Sequence, residues 1–358
     1  MKRWIGFALL AAAAVYALVV VPARDDMTQM ISGSVYASYG LLALSLALVW
    51  GQAGILSFGQ TAFFGIGGYA YAVTAINLGN TTASLFVAIV VAAAFAALLG
   101  YFMFWGRISD VYLGVITLTV SLILYRFFNQ TAGDAWRIGD AALGGFNGMP
   151  GTPILTPPGL PDAPLSPQQI YLLTTTLLLL AYVGVRRLMR SRFGRVVVAI
   201  RENETRAELL GYDARWYKLG VFTLGGGLAG LAGVLFANCV FVSPNMFNLV
   251  SSGQLLIWVI VGGLGTLAGP VIACYLLLMA ATALGTVNQG GGLVWLDPNL
   301  VLGVVLTAFV LLVPSGLLPI LDGLVERLLA ARRGPRAAAV DEPPAPRVGG
   351  ITTGESTP

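Results

Sequence analysis

The chain has 358 residues, of which 57% are hydrophobic and only 10% are charged, and its mean hydropathy is +0.82. An ordinary soluble domain carries roughly a quarter charged residues, so this composition indicates a polytopic membrane protein. The net charge of +4 fits the basic bias of cytoplasmic loops, and nucleic-acid binding is not indicated.

Missing residue types exclude several chemistries. The chain has no histidine, which removes histidine-based triads, imidazole zinc sites and histidine proton relays. Cys239 and Cys274 stand far apart in apolar stretches, which favours packing over a metal pair or a disulfide. Neither Lys2 nor Lys218 lies in a G-x-x-x-x-G-K-[ST] motif, so the chain carries no P-loop.

Hydrophobic runs of about 20 residues, the length that crosses a bilayer, predict an all-α bundle of about eight to ten spans. No Lys, Arg, Asp or Glu occurs from Met27 to Gly106 or from Leu219 to Leu296. The first run is longer than a secretory signal core of about 7–15 residues and is interpreted as a retained helix. The predicted spans lie near residues 4–22, 30–50, 53–77, 83–105, 111–128, 168–189, 219–242, 249–265, 269–287 and 299–320.

Basic residues set the predicted orientation. With a cytoplasmic N-terminus, all of the 20 Lys and Arg residues except Arg24, Arg126 and Arg137 fall on the cytoplasmic side. Both termini are then cytoplasmic. The transmembrane domain covers residues 1–330, with a cytoplasmic loop at 190–218 and an extracytoplasmic loop at 129–167. The Pro- and Ala-rich tail at 331–358 is predicted to be disordered.

The interior of the bundle is expected to be neutral. Proton-coupled transporters place acidic groups or histidines within the bundle, and the two long uncharged blocks contain none. A neutral or zwitterionic substrate therefore fits best.

Glycines cluster at residues 51–68 and 253–269, where they permit close helix approach or broken helices at membrane depth. Paired glycine-interrupted segments often mark a substrate region, although helix packing alone also explains them. The predicted pathway residues are Ser57, Gln60, Thr61, Gly65, Gly262, Gly263 and Gly265.

The cytoplasmic loop is predicted to contain a short exposed helix. Glu202 and Arg206 are four residues apart, a favourable helical pair, and Gly211 suits a helix C-terminus. Such a helix between two spans could dock a soluble partner. The alternative is a solvated loop whose arginines only set topology.

This loop resembles the coupling loop of bacterial ABC importer permeases, in particular the LivM-like permeases of the hydrophobic amino-acid uptake family. The similar loop segments are 192–195, 199–204, 206–208, 210–211 and 217–219. Three further segments resemble family motifs in the same order: 54–69, 144–150 and 262–270. A histidine is common in the family where this chain has Gln60.

The resemblance implies a transmembrane subunit of ABC-permease type that is not itself an enzyme. It binds no cofactor, and ATP is used by two cytoplasmic ATPase subunits. A second, LivH-like permease and an extracytoplasmic solute-binding protein complete the importer, in a bacterial inner membrane. The residues that the resemblance places in ATPase coupling are Arg201, Glu202, Glu204, Arg206, Ala207, Glu208 and Gly211.

Three alternatives stay open from the sequence. Urea and short-chain amide permeases share the same motifs. A secondary transporter or channel would also be polytopic, but would more often carry intramembrane ionisable groups. A membrane enzyme would need an acidic or histidine cluster, and Asp134 and Asp140 in the outer loop are the nearest carboxylates.

Overall fold

A computed structural model of the chain describes residues 26–133, 135–158, 163–289 and 303. Most of these residues are helical, and the only sheet among them is a short antiparallel ribbon of β1 (Arg137–Ile138) and β2 (Ala141–Ala142). The helices are α1 (Met27–Leu46), continued by a π-helical turn (Ala47–Gln52), α2 (Gln60–Leu78), α3 (Thr81–Trp105), α4 (Asp110–Gln130), α5 (Pro167–Arg190), α6 (Arg192–Glu202), α7 (Glu204–Leu209), α8 (Ala214–Cys239), α9 (Leu249–Gly262) and α10 (Ala268–Gln289). Two 3₁₀ turns lie at Gly145–Asn147 and Pro244–Phe247.

Five of the described helices are long and apolar enough to cross a membrane: α1 with its π-helical turn, α3, α4, α5 and α8. The apolar helices α9 and Ala268–Ala283 of α10 are shorter. The predicted all-α polytopic bundle is confirmed. The predicted span at 4–22, the tail at 331–358 and, apart from Gly303, the span at 299–320 lie outside the described residues.

The helix of the predicted span near 53–77 begins later than expected, because residues 53–59 are not helical and α2 begins only at Gln60. The π-helical turn ends where Gly54 adopts φ +76°, a left-handed conformation that costs other residues roughly 1–2 kcal/mol. The predicted glycine interruption of a central helix is therefore present at this point.

Helix α8 lies at the centre of the bundle and packs closely on α2 and α3. Residues Ala88, Ala92 and Ala96 of α3 recur every fourth position and are fully buried. A Cβ atom on Gly230 of α8 would clash with Ala92, and one on Gly67 of α2 would clash with the Gly230 backbone. Small residues thus let the backbones of α2, α3 and α8 meet directly, which maximises dispersion contacts inside a membrane.

The two connecting loops lie at opposite ends of α8, which has 26 residues and is therefore about 39 Å long. The predicted cytoplasmic loop leads into its N-terminus. The predicted extracytoplasmic loop contacts its other end, where Asn238 Oδ1 accepts from the Leu155 amide at 2.7 Å and from the Tyr71 hydroxyl at 3.2 Å. The Met149 amide also donates to the Val242 carbonyl at 2.8 Å.

Candidate functional site

The loop between α5 and α8 contains two short helices, α6 and α7, in place of the predicted single one. Asn203 separates them: its backbone is extended (φ −161°, ψ 101°), and its side chain accepts from the Arg206 amide at 2.8 Å. Asparagine is among the best N-cap residues, so α7 starts afresh at Glu204. The predicted pairing of Glu202 with Arg206 on one helix is wrong, because the two residues lie on different helices.

The acidic side chains of this loop form other pairs. Glu202 Oε1 accepts from Arg201 Nη2 at 2.6 Å and from Arg201 Nε at 3.2 Å. Glu204 Oε2 accepts from Lys218 Nζ at 2.6 Å, which ties α7 to the first turns of α8. Both pairs are partly exposed, so each adds orientation more than stability.

Gly211 ends α7 with the turn that the sequence predicted. It has φ +89°, its amide bonds to the Glu208 carbonyl at 2.9 Å, and the Tyr212 amide bonds to the Ala207 carbonyl at 3.2 Å. These are the two bonds of a Schellman motif. Ala207 faces inward, in a small buried cluster with Ile200 and Ala214, whereas Glu208 is exposed.

Two leucines stand out at the tip of this loop. Leu209 is 84% exposed and Leu210 is 72% exposed, next to the exposed Arg206 and Glu208. The sequence reasoning missed them, although two adjacent leucines before a glycine in a charged loop carried the signal. An apolar pair at the tip of an ordered, polar loop is typical of a protein contact.

Arg201 links the loop to the first glycine interruption. Its Nη1 donates to the Gly51 carbonyl at 2.7 Å, and its Cγ would lie 2.7 Å from a Cβ placed on Gly54. The guanidinium therefore caps the end of the π-helical turn, where backbone carbonyls lack helical partners and favour a cation.

Gln52 links the first interruption to the second. Its Nε2 donates to the Gly265 carbonyl at 2.7 Å, and a Cβ on Gly51 would lie 3.4 Å from the Gly265 nitrogen. Gly265 has φ +87° in the turn between α9 and α10. We call Arg201, Gly51, Gln52 and Gly265 the three-way junction. It brings together one predicted coupling residue and one predicted pathway residue, while Gln52 was missed.

A buried polar cluster lies at the start of α2. Gln60 is fully buried; its Oε1 lies 3.4 Å from the Ser45 hydroxyl, and its Nε2 has no hydrogen-bond partner among the described residues. Thr61 Oγ1 and Ser252 Oγ are 2.6 Å apart. Hydroxyl and amide groups from α1, α2 and α9 thus meet next to the interruption.

The remaining predicted pathway residues have packing or turn roles in this conformation. Ser57 is buried and accepts from the Gly59 amide at 3.2 Å. A Cβ on Gly65 would clash with the Phe247 ring, and one on Gly262 would clash with Gly269. Gly263 ends α9 with φ +106°. Their part in a pathway stays a prediction.

The family model and the similar proteins all carry the description of branched-chain amino acid transport permeases. The family model described as "Branched-chain amino acid transport system / permease component" matches residues 30–314. The chain is 29% identical over 324 residues to the Escherichia coli (strain K12) high-affinity branched-chain amino acid transport system permease protein LivM, covering 84% of this chain and 72% of that protein. It is 25% identical over 330 residues to a probable branched-chain amino acid transport permease protein LivM of Methanocaldococcus jannaschii, covering 79% of this chain and 91% of that protein. No solved structure matches significantly.

Proposed function

Because the chain belongs to the family of permease components of branched-chain amino acid transport systems, we propose that it is the transmembrane subunit of an ATP-driven importer of branched-chain or other hydrophobic amino acids. The proposed importer lies in a bacterial inner membrane and also contains a second, LivH-like permease, two ATPase subunits and an extracytoplasmic solute-binding protein. This chain would bind no cofactor, and ATP would be hydrolysed on the ATPase subunits.

The exposed leucine pair at the loop tip supports the ATPase contact. Leu209 and Leu210 protrude from a loop whose inner face is anchored by Ala207 and by the bond between Glu204 and Lys218. A fixed loop with an apolar tip suits docking into a groove of a soluble subunit. The uncharged blocks 27–106 and 219–296 suit a solute with no net charge, as an amino-acid zwitterion has.

Solute uptake by the purified importer, reconstituted in liposomes with its binding protein, tests the proposal. We expect leucine uptake that requires ATP. Uptake of urea in place of leucine would refute the substrate, and uptake without ATP would refute the importer mechanism.

The loop contact is tested with the double variant L209S/L210S. Both side chains are exposed, so we expect each substitution to change the stability by no more than about 0.5 kcal/mol. The variant should insert normally but lose the P-loop ATPase when the tagged chain is purified from its native membrane. The matched control is Ile138→Ser, because Ile138 is 52% exposed on the loop at the other end of the bundle. Full ATPase recovery with the double variant would contradict the docking assignment.

A further inference from the structure

We propose that Gln52 is a positioning residue that makes the two glycine-interrupted segments move together with the coupling loop through the three-way junction. This inference rests on the proposed function, because it concerns how the force of ATP-driven closure reaches the spans. Gln52 is the last residue of the π-helical turn after α1, and it lies outside the loop that is proposed to contact the ATPase.

The junction begins at the Gly51 carbonyl, near the end of the π-helical turn. The amides of Ala53, Gly54 and Ile55 bond back to carbonyls of residues 48–50. The Gly51 carbonyl instead accepts from Arg201 Nη1. A hydrogen bond from a charged donor is roughly twice as strong as one between neutral groups, so this contact is firm for a single bond.

The arginine is held in place from two sides. Glu202 Oε1 accepts from both Nε and Nη2, which leaves Nη1 directed at Gly51. The side-chain stem lies over Gly54, where no Cβ atom intervenes. Arg201 lies in the last turn of α6, so its position follows that of the helix.

Gln52 connects the π-helical turn to a segment that is far away in sequence. Its side chain bonds to the carbonyl of Gly265, 213 residues further along the chain. The Gly265 nitrogen would lie 3.4 Å from a Cβ on Gly51, so the two turns already lie in close approach. The bond from Arg201 to Gly51 therefore joins α6 to the π-helical turn, and the bond from Gln52 to Gly265 joins that turn to the turn between α9 and α10.

No charged side chain is available in either block to make this link. Residues 27–106 and 219–296 contain no Lys, Arg, Asp or Glu, so an ion pair cannot join them to the loop or to each other. A loop arginine and a neutral amide bonding to backbone carbonyls provide directional contacts at that uncharged surface. Both interruptions are then displaced by the same movement of α6.

The test compares Gln52→Met with Gln29→Met in the assembled importer. Methionine keeps the unbranched shape of glutamine but cannot donate to the Gly265 carbonyl. Gln29 is exposed at the opposite end of the same helix, which makes it a matched control. ATP hydrolysis and leucine uptake are measured on the same proteoliposomes, and the readout is leucine transported per ATP hydrolysed.

We expect Gln52→Met to keep its ATPase subunits and most of its ATP hydrolysis, while leucine transported per ATP falls about tenfold. That factor corresponds to about 1.4 kcal/mol, within the range for one hydrogen bond. Arg201→Met should give the same loss, and Gln29→Met should behave as wild type. A structural role would instead lower hydrolysis and uptake in proportion.

An unchanged ratio in Gln52→Met would overturn the inference, whether both activities are retained or both fall in proportion. Either result would leave the proposed function intact, because the unaltered importer would still couple uptake to ATP. If the unaltered importer shows no ATP-dependent leucine uptake, the proposed function fails and this inference fails with it.

Discussion

Replacement of Gln60 by methionine should stabilise the importer while impairing transport. Gln60 is fully buried at the start of α2, and its Nε2 has no hydrogen-bond partner among the described residues. Leaving a buried donor unsatisfied costs about 1–3 kcal/mol. A buried amide donor without a partner in this conformation is expected to bind something at another stage of the transport cycle, and the donor suits the carboxylate of an amino acid.

The expected gain in stability follows from the interactions that Gln60→Met would remove. The Ser45 hydroxyl donates to the Leu42 carbonyl at 2.7 Å, so its longer contact of 3.4 Å with Gln60 Oε1 contributes little. Removing the amide therefore relieves most of the unsatisfied-donor cost. We expect a gain of about 1–2 kcal/mol. At the roughly 2–4 °C per kcal/mol of domains of about 150–250 residues, this is a rise of about 2–8 °C in the melting temperature.

The gain in stability is measured by thermal unfolding of the detergent-solubilised importer, monitored by size-exclusion chromatography. The loss of transport is measured as ATP-driven leucine uptake. Gln29→Met controls for the chemical change at an exposed position. A lower melting temperature for Gln60→Met would show that the amide has a partner in the resting state. A raised melting temperature with normal uptake would show that Gln60 does not contact the solute.

Two further substitutions test the packing and the outer loop. Gly230→Val should abolish recovery of folded protein, because its Cβ would clash with Ala92. Gly184→Val should be tolerated, because nothing lies within 4 Å of a Cβ there. Equal yields of the two variants in detergent extracts would contradict the close packing of α3 and α8. Asn238→Leu leaves the Leu155 amide without its acceptor, so we expect about 1–3 kcal/mol of destabilisation and faster cleavage of the adjoining loop in limited proteolysis; an unchanged cleavage rate would contradict this anchoring.

The sequence predicted the elements whose signal is local. Hydrophobic length and charge-free blocks predicted the bundle, and the glycine clusters predicted where helices are interrupted. The helix break at Asn203 also has a local signal, because asparagine is a preferred N-cap residue, but the break was not predicted. The spacing of Glu202 and Arg206 predicted a pair on one helix, and that prediction was wrong because a favourable helical pair is worth only about 0.2–0.5 kcal/mol.

Contacts between distant segments could not be read from one sequence. The bond from Gln52 to Gly265 spans 213 residues, and neither residue type indicates a partner. Gly65 and Gly262 illustrate a second limit, since a glycine that permits a pathway and one that permits packing look the same in a sequence. Their close contacts with Phe247 and Gly269 became visible only once the helices were placed.

The packing of the bundle restricts where movement can occur during transport. The α2, α3 and α8 backbones meet through small residues such as Ala92 and Gly230, and cores packed this closely switch between arrangements more readily than they deform. The loop between α5 and α8 reaches this unit through the bond between Glu204 and Lys218, and it reaches the π-helical turn after α1 through Arg201. The intervening segments 53–59 and 263–267 are not helical and contain glycines with positive φ. Displacement of the loop is therefore expected to change the backbone at these two interruptions while the three-helix unit moves as a rigid body.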